Sequence, residues 1–410
     1  MMEFAMLYFR RPKNISNVGD SLTTQRKKKE WTWKDISDKV KYTERPISHS
    51  LLRLDSNEAD KLAQDAFLCI MRYMGDENLK RGQTFTDCVY ELLMICHQYH
   101  ALRDEVYCQI IRQTTSNKSS RSDSLIRGWR LFSIVTAYFD CSQVLKPYLF
   151  KHLIEMANDS RRAYHGTAHI CLQNLAKTFK YGGRKFLLSG REVEAITTGK
   201  NLKRQLYHLP GGHKKVVNTK AVTVVEEIIQ ELCLELNIRS PTEQQEFCLC
   251  YILEIENIMK LLSNDEYILD ICTELEHKKK EYFLLLKRTV WIHPLRLDNI
   301  LYIDVMFFQI VPDYIEGLLI APKPATLSAA FLEEVSFIGA LLHLSDCNEQ
   351  TKVSPQNAMN LLPKTIVTMR SGEQWAERIN HKLCMIDANM NSTEARAKFL
   401  GSFLVQFYLD

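Results

Sequence analysis

Between Asp55 and Gly183 apolar residues recur every three to four positions, the period of helices with one buried face. Leu62, Ala66, Ile70 and Met74 form a stripe that ends at Gly75, and Asp55 with Glu58 makes a capping-box-like start for it. Thr84 with Asp87 opens a second helix carrying Val89, Leu92, Leu93, Cys96 and Tyr99. Leu102, Val106 and Ile110, with Ile111 beside them, mark a third, and this spacing places Arg103, Asp104, Glu105 and Arg112 on its other faces. A polar loop over 116–122 follows. Ser124 then caps a helix whose buried face is Trp129, Phe132 and Val135. Lys146-Pro147 opens the next, since proline suits a first helical turn. Leu149, Leu153 and Met156, then Leu172, Leu175 and Phe179, extend the pattern to Gly182-Gly183. Residues 48–183 read as one all-helical bundle.

Past Gly199 the period changes to two. Gln205 to Leu209 and Lys214 to Val217, joined by Pro210-Gly211-Gly212-His213, predict a hairpin. Thr223 with Glu226 caps a helix bearing Ile228, Ile229, Leu232 and Leu236. A strand over Phe247 to Ile255, a short helical piece from Tyr267 to Leu275 and a strand over Tyr282 to Leu286 complete the order of a ubiquitin-like fold. From Asn299 helices return, at Leu301 to Gln309, Leu327 to Leu344, Ser371 to Leu383 and Thr393 to Tyr408. The expected fold class is mainly α: a helical bundle, a ubiquitin-like α+β lobe and a small helical lobe. Residues 10–45, with Arg26-Lys27-Lys28-Lys29, Trp31 and Trp33, read as a basic, loosely structured lead-in.

Composition changes this picture little. The chain has 410 residues, 46% hydrophobic and 25% charged, which suits two or three well-cored domains. Neither a signal peptide nor a membrane span is expected. The twelve cysteines show no paired framework, and Cys69, Cys96, Cys171 and Cys233 sit in apolar stripes, so a reducing compartment is expected. Cys248 and Cys250 fall on one strand face and do not suit a zinc site. Cys96, His97 and His100 are the better metal candidates, but they lack further ligands nearby, so no metal is expected. Charge divides the chain. Residues 1–199 hold 31 Lys and Arg against 22 Asp and Glu, a net +9, whereas residues 200–410 hold 22 against 27, a net −5. A basic helical module favours an acidic partner through an attraction that salt would screen.

The string Leu102-Arg103-Asp104-Glu105-Val106-Tyr107-Cys108-Gln109-Ile110-Ile111-Arg112-Gln113-Thr114, followed by Arg127-Gly128-Trp129, resembles the signature of the myosin tail homology 4 domain of unconventional myosins and some plant kinesins. Further along, Lys203 to Leu206, Leu209-Pro210-Gly211-Gly212, Pro294 to Asn299, Val311 to Leu318 and Ala395 to Gly401 are similar to the tails of class-fifteen unconventional myosins. The resemblance implies a lead-in at 1–47, the myosin tail homology 4 domain at 48–199, a ubiquitin-like first FERM lobe at 200–292 and a helical second lobe at 293–410. The third FERM lobe and a motor are expected to be absent.

No phosphate-cradling Gly-x-x-x-x-Gly-Lys-Ser/Thr, nucleophile elbow or His-Glu-x-x-His occurs, so the chain is expected to bind and not to catalyse, without a cofactor. The resemblance implies cargo or scaffold peptides and microtubules as partners. It implies actin only through a motor, a membrane at most peripherally, and no nucleic acid. It implies a cytoplasmic, cytoskeleton-associated site, at actin-based protrusions. Lys80, Arg81, Lys118, Arg121, Arg127 and Arg130 flank the signature helices and are the candidate contacts for an acidic partner. Arg103, Asp104, Glu105, Tyr107 and Trp129 are expected to be structural. The alternative reading is a stand-alone FERM-type scaffold between membrane and cytoskeleton.

Overall fold

The computed structural model describes residues 1–11, 32–319, 329–346 and 351–407; the run at Arg26 to Lys29, together with Trp31, lies outside them. Nine helices come first among the described residues: α1 (Met2–Tyr8), α2 (Trp33–Val40), α3 (Asn57–Met74), α4 (Phe85–Gln98), α5 (Leu102–Thr114), α6 (Ser124–Tyr138), α7 (Lys146–Asn158), α8 (His165–Tyr181) and α9 (Gly190–Thr197). Strands β1 (Lys203–His208) and β2 (Lys214–Thr219) precede α10 (Val225–Glu235) and α11 (Pro241–Gln244). Next come β3 (Phe247–Leu253), β4 (Ile258–Leu261), α12 (Ile268–His277) and β5 (Phe283–Arg288). The chain continues with α13 (Ile300–Glu316), α14 (Ala329–Asp346), α15 (Pro355–Asn360), α16 (Lys364–Val367), α17 (Gly372–Leu383) and α18 (Ser392–Phe407). The fold is thus mostly helical, with one small sheet. No helix among the described residues is long and apolar enough to cross a membrane.

The chain divides into two compact units. The first takes residues 1–203, 219–223 and 265–279, so α12 clusters with the helical domain. Its core is built from Ala66, Phe67 and Ile70 of α3, Val89 and Leu92 of α4, Trp129 and Phe132 of α6, Leu149 and Leu153 of α7, and Leu175 of α8. A fully buried side chain of this size stabilises by about 1.5–3 kcal/mol. Gly182 ends α8 with φ +87, and Gly183 passes so close to α6 that an added Cβ would lie 1.8 Å from the Tyr138 carbonyl oxygen. Only glycine allows that approach.

The lead-in differs from its expected loose state. Thr32 and Asp35 form a full capping box for α2, which buries Ile36 and Val40, and α1 buries Phe4 and Ala5. Phe9 bridges to Leu52. Two turns too short to show a period in sequence gain their stability from docking.

Three caps also shift. At α3 the N-cap is Ser56, whose side chain accepts from the Ala59 amide, instead of the Asp55 and Glu58 pair. Asp123 is the N-cap of α6, and the Ser124 hydroxyl instead donates to Asp76 at 2.9 Å. For α10 the Glu227 carboxylate accepts from the Val224 amide at 3.1 Å, while Thr223 Oγ1 accepts from the Lys220 amide at 2.8 Å. Neighbouring polar residues compete for a cap, and the direction of chain entry decides. The expected Thr84–Asp87 box is present, with Asp87 accepting from the Thr84 amide at 2.7 Å.

The second unit takes residues 204–218, 224–264 and 280–410. Its sheet has the order β2-β1-β5-β3-β4. Tyr207 of β1 faces Leu284 of β5 in parallel, and β3 runs antiparallel to both β5 and β4. Strand β4 was not expected, because all four of its residues are exposed and no alternation marks it. Gly211 (φ +81) lies against the Phe308 ring, 2.4 Å from where a Cβ would stand. That accounts for the Leu209-Pro210-Gly211-Gly212 motif.

Candidate partner-binding surface

Helix α5 is the centre of the helical domain, and every residue from Glu105 to Thr114 is buried. A stripe argument assigns the polar residues of such a helix to water; here they meet other segments. Glu105, 0% exposed, accepts from the amides of Leu51 at 2.8 Å and Leu52 at 2.7 Å and from Gln109 Nε2 at 2.8 Å. Burial pushes its carboxyl pKa up, against the pull of those amides. Gln109 also donates to the Ala63 carbonyl at 2.8 Å, and Arg112 to the Lys41 carbonyl at 3.2 Å. The expectation that Glu105 and Arg112 lie on outer faces is therefore corrected.

Arg103, Asp104 and Tyr107 together hold residues 139–142, and Trp129 packs in the core. Arg103 pairs with Asp140 at 2.7 Å, donates to the Cys96 carbonyl at 3.2 Å and stacks over Phe139 at 5.0 Å. Asp104 accepts from the Ser142 amide at 2.8 Å. The Tyr107 hydroxyl donates to the Phe139 carbonyl at 2.5 Å. Trp129 stacks on Tyr164 at 4.8 Å and on Phe132 at 5.4 Å. Replacing Arg103 with Ala removes a half-exposed pair and one backbone contact. It is expected to cost about 1–2 kcal/mol in urea unfolding without loss of helix content, and an unchanged midpoint would remove the structural role.

Of the six candidate contacts for an acidic partner, four lie on two loops joined through Asp76. Lys80, Arg81, Lys118 and Arg121 are exposed on two loops that Asp76 ties together by accepting from Ser119 at 2.5 Å and Ser124 at 2.9 Å. Asn117 stiffens the second loop through bonds to Ser124 at 3.1 Å and to the Ser119 amide at 2.9 Å. These four form no ion pair among the described residues. Arg127 and Arg130 differ from them. Arg127 pairs with Asp123 at 2.6 Å and lies over Phe85 at 4.6 Å, and Arg130 donates to the Thr197 carbonyl. Both spend their charge within the domain.

Cys96 is buried, while His97 and His100 are exposed, and no group of three metal-ligating side chains occurs among the described residues. Burial pushes the Cys96 thiol up to about 12, which makes it an inert core residue. The later motifs are also structural. Arg296 grips Glu243 at 2.6 Å, Asn299 caps α13, Gly317 ends it with φ 81, and Arg396 pairs with Asp304 at 2.8 Å.

Sequence reasoning missed two buried arginines. Arg184 pairs with Glu192 at 2.5 Å and Asp270 at 3.0 Å in the first unit. Arg288 pairs with Glu246 at 2.5 Å in the second. Asp270 and Glu246 lie tens of positions from the arginines they meet, and nothing local announces them.

Comparison with known proteins agrees with this geometry. Residues 89–195 match the MyTH4 domain model. The chain is 34% identical over 401 residues to human unconventional myosin-XV, covering 98% of this chain and 11% of that protein. It is 35% identical over 366 residues to human unconventional myosin-XVB, covering 89% and 11%. The chain thus spans about a tenth of the length of these relatives. Among solved structures, the human myosin 7b C-terminal MyTH4-FERM domain in complex with the harmonin-a PDZ3 domain shares the fold, with TM-score 0.61 and 20% identity over 97% of this chain and 76% of that one.

Proposed function

We infer, from the premise that this chain is a myosin-XV-like segment of an unconventional myosin tail, with a MyTH4 domain and a FERM-like continuation, that it acts by binding protein partners and not by turnover. The five-stranded sheet with α10 is read as the ubiquitin-like first lobe of a FERM domain, and α13 to α18 as its second, helical lobe. The strand order β2-β1-β5-β3-β4 supports the first assignment.

The partners we propose are cargo or scaffold peptides and, through the basic loops, an acidic surface such as a microtubule. The myosin 7b domain, in its complex with the harmonin-a PDZ3 domain, supports a protein partner in this reading. The observation that carries the acidic half is the set Lys80, Arg81, Lys118 and Arg121, exposed and unpaired on two loops that Asp76 locks together. Loops already ordered lose little entropy on binding, and their charges steer an acidic partner in a salt-dependent way. The protein would then work at the cytoskeleton, on the cytoplasmic side of any membrane.

Co-sedimentation of the chain with microtubules and, separately, with actin filaments across a salt series tests this. Salt-sensitive pelleting with microtubules alone is expected. Reversing all four charges to Glu is expected to weaken it on the order of tenfold. Failure to pellet with either filament would overturn the microtubule half and leave peptides. Strong, headgroup-dependent flotation with liposomes would favour the membrane scaffold instead.

A further inference from the structure

A second basic site lies in the first unit, formed by other residues, and its 42–43 wall adjoins the start of the loop that carries Lys118 and Arg121. A pocket of about 300 Å³ is lined by Arg10, Arg11, Lys39, Arg45, His49 and Arg112, with no acidic side chain in its wall. Thr43, Ser48 and Ser50 add hydroxyls. The volume is at the small end of the roughly 300–1,000 Å³ of small-molecule sites.

The walls are fixed by backbone and buried contacts. The Arg10 amide donates to the Leu51 carbonyl at 2.7 Å and the Tyr42 amide to the Thr115 carbonyl at 3.0 Å. Gln113 clasps Thr43, accepting from its amide at 3.1 Å and donating to its carbonyl at 3.2 Å. Arg112 is 9% exposed, held through Nε by the Lys41 carbonyl.

The charges here are not balanced. Asp60 answers Arg10 at 2.8 Å and His49 at 3.1 Å, whereas Arg11, Lys39, Arg45 and Arg112 form no ion pair among the described residues. Burial lowers the pKa of Lys39, and the nearby Arg112 charge lowers it further; burial lowers that of Arg112 against the pull of the Glu105 carboxylate. Like charges gathered in a half-buried pocket destabilise the empty form, and an anion of high charge relieves them.

We propose that this pocket binds a polyphosphorylated polyol, a ring carrying two or more phosphates, either free in solution or as a phosphoinositide headgroup. Guanidinium forks match phosphate oxygens two at a time. A single carboxylate would leave most of these cations unanswered, so the excess charge selects a ligand with several phosphates. None of Lys80, Arg81, Lys118 and Arg121 lines the pocket, so variants can address the two sets of cations separately.

The test titrates the whole chain calorimetrically with inositol hexakisphosphate and, in a second arm, floats it with vesicles containing phosphatidylinositol bisphosphate against phosphatidylserine vesicles of equal surface charge. The double variant K39E/R45E is expected to weaken binding on the order of tenfold or more, and K118E/R121E less than about twofold, with thermal melting of both near that of the parent. Titration without flotation would assign a soluble ligand, and flotation selective for the bisphosphate lipid a membrane headgroup. No heat with the soluble probe and no lipid selectivity would overturn the proposal. Equal weakening by the two double variants would also overturn it, since general charge would then suffice.

Discussion

Replacing Glu105 with Ala will destabilise the helical domain by about 3–5 kcal/mol, a large share of a typical domain's margin of about 5–15 kcal/mol. The carboxylate is wholly buried and serves three donors at 2.7–2.8 Å: the Leu51 amide, the Leu52 amide and Gln109 Nε2. Removal leaves the buried Leu51 amide and the half-buried Leu52 amide without an acceptor, and each such loss costs about 1–3 kcal/mol. Glu105→Gln keeps one acceptor oxygen but turns an NH₂ toward an amide, so it should fall between parent and Ala. Urea unfolding with an unchanged slope and a lowered midpoint is the expected record. A midpoint within about 0.5 kcal/mol of the parent would show that the contact contributes nothing.

In the second unit the comparable loss is at Arg288. Its side chain, 0% exposed, meets Glu246 at 2.5 Å, the Tyr302 hydroxyl at 2.6 Å and the His293 carbonyl at 2.7 Å, with Trp291 over it at 4.6 Å. Its backbone is clasped by Gln309, which accepts at 2.9 Å and donates at 2.6 Å. Arg288→Ala strands the buried Glu246 carboxylate and is expected to cost about 3–5 kcal/mol. Glu246→Ala alone should also be severe, because its carboxylate accepts from the His293 amide at 2.9 Å. The double variant should cost less than the sum of the two by at least about 2 kcal/mol. Strict additivity would show that the pair does not interact.

Much of the helical architecture could be read from the chain because α3, α4, α7 and α8 each keep an apolar stripe over three or more turns, and local contacts alone produce that pattern. The Thr84–Asp87 cap and the proline opening α7 are legible for the same reason, since their partners lie within one turn. Where the partner is distant, sequence is silent. Arg184 meets Asp270 and could not be told from a solvated charge; Glu105 meets residues 51 and 52, and the family signature, not its spacing, marked it as structural. Strand β4 escaped because Ile258, Met259 and Leu261 are all exposed, which erases the alternation that marks a strand. Among the candidate contacts, exposure separated Lys80, Arg81, Lys118 and Arg121 from Arg127 and Arg130. The pocket around Lys39 and Arg112 was invisible, since its cations come from stretches up to a hundred residues apart.

The way α5 clasps the segment before α3 also has a mechanical side. A pull on the chain from the N-terminal direction meets the Phe9–Leu52 bridge and the Arg10 bonds to Leu51 and Asp60. Behind them stand the Tyr42–Thr115 bond, the Thr43–Gln113 clasp and the Leu51 and Leu52 bonds to Glu105. The anchors on α5 lie at opposite ends of one buried helix, so tension that reaches them is shared along its axis. Such an attachment yields at a high force and over a short extension, the behaviour wanted where a folded module must transmit strain without unravelling from its leading end.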